Sequence, residues 1–273
     1  MADPILHHER VTTEGAKPHA WMYVLHGVYG AGRNWASVMR RIVTQRPDWG
    51  ALLVDLRQHG ESQGFAGPHT VDAAAADLDR LADHTGLRPD TVLGHSFGGK
   101  VALLFARSTT APPKQIWVID STPQARVPDG SAWDMLELLE SLPATFESRD
   151  DVIAQLVERG QSRPLAQWMA TNLVANDGGY RWRIDFDSIR ELLLSFFDAD
   201  AWDVVENPPD GTDIHLVKAE DSRILSGAAL DRAEEAAAAG SRTFVHRVAG
   251  GHWVNAENPA ALESLLVQML PSE

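Results

Sequence analysis

The sequence contains no cysteine, and this absence excludes several kinds of site at once. Without a thiol the chain forms no disulfide bond, offers no thiolate to a metal ion and has no cysteine nucleophile. Histidines are present, but the adjacent pair His7 and His8 lies in a strand-like segment, where neighbouring side chains point to opposite faces. We interpret the pair as surface residues and predict no metal site.

Long apolar runs and an excess of positive charge are also missing. No run approaches the roughly 18 apolar residues of a membrane span. The residues after Met1 lack the basic segment and apolar stretch of a signal peptide. The net charge of −14 disfavours nucleic acid and anionic membrane surfaces as partners. We therefore expect a cytoplasmic protein that binds neither nucleic acid nor membrane, and its oligomeric state stays open.

The most informative motif present is a serine between two glycines. Gly94-His95-Ser96-Phe97-Gly98 follows the pattern G-x-S-x-G, after an apolar run at residues 91–95 and before a helix-like segment at 97–107. A serine on such a tight strand-to-helix turn is held in a strained conformation with its hydroxyl exposed. Glycine is needed on both sides because a side chain there would collide with the neighbouring elements. The context predicts a nucleophile elbow at Ser96.

Apolar runs alternate with helical segments along most of the chain. The predicted strands span residues 21–25, 51–56, 91–95, 115–119, 214–217 and 243–248. Continuous apolar strands separated by helices are typical of a mostly parallel sheet covered by helices on both faces, which is an α/β fold. Residues 5–11 are predicted to add an antiparallel edge strand.

The alternation stops between Pro123 and Pro209. This segment is rich in helix-like patterns and aromatic residues, and we predict no buried strand in it. We interpret residues 123–209 as a helical cap inserted into a core formed by residues 1–122 and 210–273. Most of its aromatic residues are expected to form the core of the cap, and a minority to line an apolar pocket over Ser96.

A serine hydroxyl needs a base within hydrogen-bond reach and an acid that orients this base. His252 is the candidate base, because it follows the last predicted strand and the flexible pair Gly250-Gly251. In this order of elements the base is expected on a late loop of that kind. His95 is adjacent to Ser96, but its side chain is expected to point away and to support the elbow.

Two carboxylates compete for the role of the acid. The usual position after the strand at residues 214–217 holds Ser222, and Asp221 is one residue away. Asp120 ends the apolar run at residues 115–119, where a carboxylate is costly unless it is paired or hydrogen-bonded. The carboxyl edge of a parallel sheet is also where such folds place their chemistry. We favour Asp120 and keep Asp221 as the alternative.

Backbone amides are the candidates for stabilising an oxyanion. The N–H of Phe97 opens the helix after Ser96, where free amides and the helix dipole favour negative charge. A second donor is expected from the loop after His26-Gly27, from Val28 or alternatively from Tyr29. The loop at residues 55–62 also contains an aspartate, a histidine and a serine, and we interpret it as structural.

With these residues identified, the chain resembles the α/β-hydrolase superfamily over essentially its whole length. Within it, the chain is most similar to small carboxylesterase-type members, the abhydrolase-domain-eleven-like proteins. The matching stretches are residues 26–30, 33–35, 55–60, 94–100, 119–123, 180–183 and 251–254. The resemblance implies an α/β-hydrolase fold, ester hydrolysis and no cofactor. It also supports Asp120 as the acid with Ser222 at the usual acid position, while Asp221 stays a candidate.

These observations together predict a serine hydrolase that cleaves carboxylic esters, with short to medium acyl chains or aromatic groups, through an acyl-enzyme. Its partner would be a small-molecule ester. The same residues would also serve C–C bond hydrolysis, thioester cleavage or perhydrolysis. A further alternative is a non-catalytic receptor with a hydrolase fold that binds a ligand under its cap.

Overall fold

The computed structural model describes residues 4–271. Met1–Asp3 and Ser272–Glu273 lie outside the described residues, and with them the start of the segment considered for a signal peptide and the two ends of the predicted core. In chain order the strands and helices are β1 (His8–Val11), β2 (Ala20–Leu25), α1 (Ala36–Gln45), β3 (Trp49–Val54), α2 (Val71–Thr85), β4 (Thr91–His95), α3 (Phe97–Ser108), β5 (Gln115–Ile119), α4 (Ser131–Glu140), β6 (Thr145–Phe146), α5 (Arg149–Glu158), α6 (Arg163–Met169), β7 (Leu173–Asn176), β8 (Gly179–Trp182), α7 (Phe186–Asp198), α8 (Trp202–Glu206), β9 (Asp213–Ala219), α9 (Ala228–Ala238), β10 (Thr243–Val248), α10 (Val254–Glu257) and α11 (Pro259–Met269). Short 3₁₀ helices add Gly32–Trp35 and Ala170–Asn172.

One sheet in the described part of the chain has seven strands in the order β1-β3-β2-β4-β5-β9-β10. β1 pairs antiparallel to β3, and the other pairs are parallel. The prediction of a mostly parallel sheet is thereby confirmed. Because the carboxyl ends of parallel strands meet at one edge, the residues that follow β4, β5, β9 and β10 come together there.

The five inner strands of this sheet are buried on both faces, which explains their continuous apolar sequence. Along β2, Met22 and Val24 pack on the side of α1 and α11, whereas Tyr23 and Leu25 pack on the side of α2 and α3. This alternation follows from the two-residue period of a strand. Burying each such side chain contributes about 1.5–3 kcal/mol, so the two apolar layers hold the sheet edge in a fixed shape.

The cap lies between β5 and β9 in the sequence and contains the helices α4 to α8. The sequence predicts no buried strand in the cap, and the cap does contain three short, partly exposed strands: β6, β8 and β7 form a small antiparallel sheet. β7 and β8 pair as a hairpin whose two loop residues are Asp177 and Gly178, with Gly178 at a φ of 79°. The strands were missed because they are short and half exposed rather than continuously apolar.

None of the helices within residues 4–271 is long and apolar enough to cross a membrane. The same residues include no group of three or more His, Cys, Asp or Glu side chains that could hold a metal ion.

Candidate active site

Ser96 lies on the sharp turn between β4 and α3. Its φ is 52° and its ψ is −115°, a conformation that costs a non-glycine residue on the order of 1–3 kcal/mol. A Cβ atom at Gly94 would lie 2.0 Å from the carbonyl oxygen of Gly98, and one at Gly98 would lie 2.6 Å from that of His26. Both glycines are therefore needed for strand and helix to approach so closely.

Three side chains from distant parts of the sequence form a continuous hydrogen-bonded relay. His252, in the loop between β10 and α10, places Nε2 3.1 Å from Oγ of Ser96. Its Nδ1 lies 2.7 Å from Oδ2 of Asp120. Because an ionised carboxylate only accepts hydrogen bonds, Nδ1 carries the proton of the ring and donates a hydrogen bond to Asp120. The lone pair of Nε2 is then free to accept a hydrogen bond from the serine hydroxyl. This is the tautomer that a general base for serine requires.

Asp120 is fully buried, with 0% of its surface exposed. It directly follows β5, has a φ of 43°, and its backbone N–H donates to the carbonyl of Val217 on β9. Its Oδ1 accepts the N–H of Ala219 at 3.3 Å. The carboxylate is thus paired with an imidazole on one oxygen and with a backbone amide on the other, which offsets the cost of burying it.

Asp221, the alternative acid, lies elsewhere. It is exposed, its backbone N–H donates to the carbonyl of Gly250, and its side chain lines the mouth of the cavity over Ser96. Nδ1 of His252 already bonds to Asp120. The structure therefore brings together Ser96, His252 and Asp120 and places Asp221 outside this relay.

His95 supports the relay from below. Its Nε2 lies 2.8 Å from the backbone carbonyl of His252, and the two imidazole rings are 4.8 Å apart. Burial, together with the neighbouring His252, lowers the pKa of His95 to about 3. The ring therefore stays neutral, and its Nε2–H donates a hydrogen bond to the carbonyl of His252. This bond holds the His252 loop against the elbow.

The loop after β2 approaches Ser96 closely. A Cβ atom at Gly27 would lie 3.3 Å from Cβ of Ser96. Nε2 of His26 accepts the N–H of Leu56 at 3.0 Å, so Nδ1 carries the proton and donates to the Gly27 carbonyl at 2.7 Å. Burial lowers the pKa of His26, which keeps this ring neutral.

The candidate oxyanion donors lie beside Ser96. Val28 and Tyr29 line the same cavity as the serine. Phe97 is the first residue of α3, so its N–H has no partner from the preceding turn of the helix. Val28 and Tyr29 thus border the same cavity as the nucleophile, and Phe97 directly follows it in the chain.

A cavity of about 350 Å³ opens over Ser96 and His252. Trp168 is the cap aromatic that lines it. The other cap residues there are the polar Ser131 and the aliphatic Ala132, Met135, Leu165 and Met169. Sequence reasoning missed these aliphatic residues because their helical spacing is the same as that of ordinary core residues. A second cavity, of about 430 Å³, lies behind Trp168 and Trp253, whose rings are 4.8 Å apart.

The loop after β3 is held by its charged residues. Oδ1 of Asp55 accepts the N–H of Gly32 at 2.7 Å, and Oδ2 accepts the N–H of Glu61 at 2.9 Å. Arg57 forms a buried ion pair with Asp77 at 2.7 Å. These contacts tie the loop to its neighbours and place it outside the relay at Ser96.

Comparison with known proteins connects this site to a family. Residues 22–265 match the family model described as "Alpha/beta hydrolase family". This chain belongs to the alpha/beta hydrolase family. The match confirms the predicted superfamily and its fold.

Relatives of this hydrolase include esterases and lipases. The mouse (Mus musculus) protein sn-1-specific diacylglycerol lipase ABHD11 is 31% identical over 179 residues, which cover 62% of this chain and 56% of that protein. Its zebrafish (Danio rerio) counterpart is 25% identical over 266 residues, covering 90% and 77%. Lipase LipV of Mycobacterium tuberculosis (strain ATCC 25618 / H37Rv) is 30% identical over 226 residues, 78% of each chain. The hydrolase thus spans little more than half of the mouse relative.

Among solved structures, a protein titled "Marine microorganism esterase" superposes on this hydrolase with a TM-score of 0.81. The two share 22% sequence identity, and the superposition covers 97% of this chain and 99% of the other. At this identity the likeness establishes the shared fold.

Proposed function

We propose that this hydrolase cleaves carboxylic esters through an acyl-enzyme on Ser96. The observation that carries the proposal is the relay in which Ser96 bonds to Nε2 of His252 and Asp120 bonds to Nδ1. A serine hydroxyl that is hydrogen-bonded to an imidazole, with a buried carboxylate on the other side of the ring, is suited to attack an acyl carbon. The names of the relatives, which include lipases, agree with an ester as substrate.

In the first half of the reaction, Oγ of Ser96 attacks the ester carbon while its proton moves to Nε2 of His252. The carbonyl oxygen becomes an oxyanion, which the N–H groups of Phe97 and of Val28, or alternatively Tyr29, stabilise. His252 then gives its proton to the leaving alcohol as the C–O bond breaks. Asp120 stabilises the imidazolium throughout.

In the second half, water attacks the acyl-enzyme with His252 again as base. The acid product leaves and Ser96 regains its proton. No step needs a cofactor, because the relay and the backbone amides supply the proton transfers and the charge stabilisation.

The cavity favours a substrate with an apolar acyl group. Its volume of about 350 Å³ and its lining by methionine, leucine and tryptophan side chains suit short to medium chains or an aromatic ring. The names of the mammalian and fish relatives make diacylglycerol a candidate within the same ester class. We propose a small-molecule ester as the partner.

The decisive experiment combines labelling with turnover. A fluorophosphonate probe followed by peptide mapping is expected to modify Ser96, and p-nitrophenyl acetate and butyrate are expected to be hydrolysed over many turnovers. Ser96→Ala should abolish both signals. Ser108→Ala is the matched control, because Ser108 is exposed at the other end of the same helix and should leave both unchanged.

Other outcomes would point to other functions of the same relay. Hydrolysis of a vinylogous diketone without ester turnover would replace the proposal with C–C bond hydrolysis, and a clear preference for thioesters would replace it with thioesterase activity. Turnover that survives Ser96→Ala would refute the serine mechanism. A protein that is labelled but turns over none of these substrates would instead be a ligand-binding receptor.

A further inference from the structure

The loop proposed to form one arm of the oxyanion hole contains a strained residue. Tyr29 has a φ of 63°, although it is neither glycine nor asparagine. The N–H of Gly30 donates to the carbonyl of Gly27 at 3.0 Å, so Tyr29 is the third residue of a four-residue turn. A positive φ at this position normally requires Gly or Asn. With tyrosine there, the conformation costs on the order of 1–3 kcal/mol and persists only where the surroundings impose it.

The cap imposes this conformation from two directions. Asn172, in the short 3₁₀ helix after α6, donates from Nδ2 to the carbonyl oxygen of Tyr29 at 2.9 Å. The phenol of Tyr29 donates to the carbonyl of Ala132 in α4 at 2.7 Å. Burial raises the pKa of Tyr29, so the phenol keeps the proton that it donates. Two elements of the cap thus bond to one core residue in the loop that lines the Ser96 cavity.

Asn172 is itself built into the cap. Its side chain is buried, with 6% exposed, and its backbone carbonyl accepts the N–H of Arg183 at 2.8 Å, just beyond β8. A buried amide that donates across to the core is costly to remove, because the Tyr29 carbonyl would lose its partner. The position of the Asn172 side chain therefore determines the position of the Tyr29 carbonyl group.

We propose that Asn172 is a positioning residue for the oxyanion hole, which holds the Val28–Tyr29 turn against Ser96 through the Tyr29 carbonyl. The inference rests on the proposed ester hydrolysis. Without this hydrogen bond, Tyr29 can relax toward a negative φ, which rotates the Val28–Tyr29 peptide as in the change from a type II to a type I turn. The N–H of Tyr29, the alternative oxyanion donor, belongs to this peptide and turns with it. The oxyanion is then fully stabilised only when the cap is packed on the core so that Asn172 reaches the Tyr29 carbonyl.

The first test compares Asn172→Ala with Asn176→Ala. Asn176 is exposed on β7 of the same cap sheet and serves as the matched control. For p-nitrophenyl butyrate, Asn172→Ala should lower kcat by about 10-fold or more, up to the roughly 10²- to 10³-fold loss seen when one oxyanion donor is removed. KM should stay within about twofold, because the oxyanion forms after binding. Asn176→Ala should match the parent in both constants.

A second readout measures the tetrahedral state directly. The affinity for a butyl boronic acid, which forms a tetrahedral adduct on the serine, should fall by the same factor as kcat in Asn172→Ala. Asn172→Asp keeps the shape of the side chain but loses the donor, so it should behave like the alanine variant. An unchanged kcat in both variants would overturn the proposal.

The Tyr29→Gly substitution distinguishes positioning of the turn from a purely structural role of Asn172. Because glycine adopts a positive φ without strain, Asn172→Ala should cost much less in a Tyr29→Gly background than in the parent. Equal losses in the two backgrounds would overturn the positioning role even if the single variant folds poorly. Failure of the underlying proposal is distinguishable, since the parent itself would then show no ester turnover.

Discussion

At the scale of single residues, the choice of acid is the sharpest prediction. Replacing Asp120 with Asn puts an N–H donor where His252 Nδ1 now donates, so the ring must take the other tautomer and its Nε2 no longer accepts the proton of Ser96. We expect Asp120→Asn to lower kcat for p-nitrophenyl butyrate by roughly 10⁴-fold, as the equivalent change does in other serine triads.

Asp221→Asn is the paired measurement, because Asp221 is exposed and separate from His252. It should change kcat less than about threefold, which is small against the loss of a group that orients the base. If Asp221→Asn lost most of its kcat while Asp120→Asn kept it, the acid would be Asp221.

The sequence was sufficient to identify Ser96 and His252 as candidates and to favour Asp120 as the acid, but it left Asp221 open. Gly94 and Gly98 flank Ser96 between a strand and a helix, which is the context of a nucleophile elbow. His252 follows the last strand. The acid depends on which strand end lies beside the histidine loop. That is a matter of strand order: β5 lies between β4 and β9, and no local pattern encodes it.

At the scale of elements, a buried ammonium in α3 bonds to three backbone carbonyls of the cap. Lys100 in α3 is fully buried and donates to the carbonyls of Gln124 at 3.0 Å, Phe196 at 2.7 Å and Ala199 at 2.9 Å. Burial, and then the charge of Arg126, lower the pKa of Lys100 to about 7, while Asp200 acts in the opposite direction. The folded protein therefore releases this proton at a lower pH than the unfolded chain does.

The sign of the resulting pH dependence follows from proton linkage. Between about pH 7 and 10.5 the unfolded chain binds more protons at this lysine, so the free energy of unfolding should rise with pH. The slope should approach about 1.4 kcal/mol per pH unit. Urea unfolding at pH 7 and 9.5 should show this rise in the parent and not in Lys100→Met.

Lys114→Met serves as the control for this measurement. Lys114 is exposed and forms a surface ion pair with Asp90 at 3.0 Å. The variant should keep the rise in stability that the parent shows. A parent whose stability does not change between the two pH values would contradict the assigned cost of burying the ammonium.

The elements of the core were more predictable than those of the cap. The inner strands of the core are buried on both faces, so each appears as a continuous apolar run, as β4 and β5 do. The cap hairpin of β7 and β8 is half exposed and is recognisable mainly by Asp177-Gly178 at its turn. Such a dipeptide favours a two-residue hairpin turn, but without an apolar alternation around it the signal is weak.

At the scale of the whole molecule, core and cap together enclose the space that selects the substrate. Trp168 comes from α6 of the cap and Trp253 from the loop after His252 in the core, and their edge-to-face contact separates the two cavities. The cavities share Gly27 and Leu165 as well as these two rings. No sequence pattern predicts this partition, because it arises only when the cap is seated on the sheet.

Removing the Trp168 side chain, which is the cap's part of this contact, should change the enzyme's preference for acyl-chain length. In Trp168→Ala the spaces of about 350 and 430 Å³ become continuous, so longer acyl chains can bury further methylene groups at about 0.8 kcal/mol each. The ratio of kcat/KM for p-nitrophenyl decanoate over butyrate should rise by about 10-fold or more, corresponding to two or more added methylenes. Trp133→Ala is the control, because Trp133 packs on Phe197 within the cap and should leave the ratio unchanged. An unaltered chain-length profile in Trp168→Ala would mean that the second cavity takes no part in substrate binding.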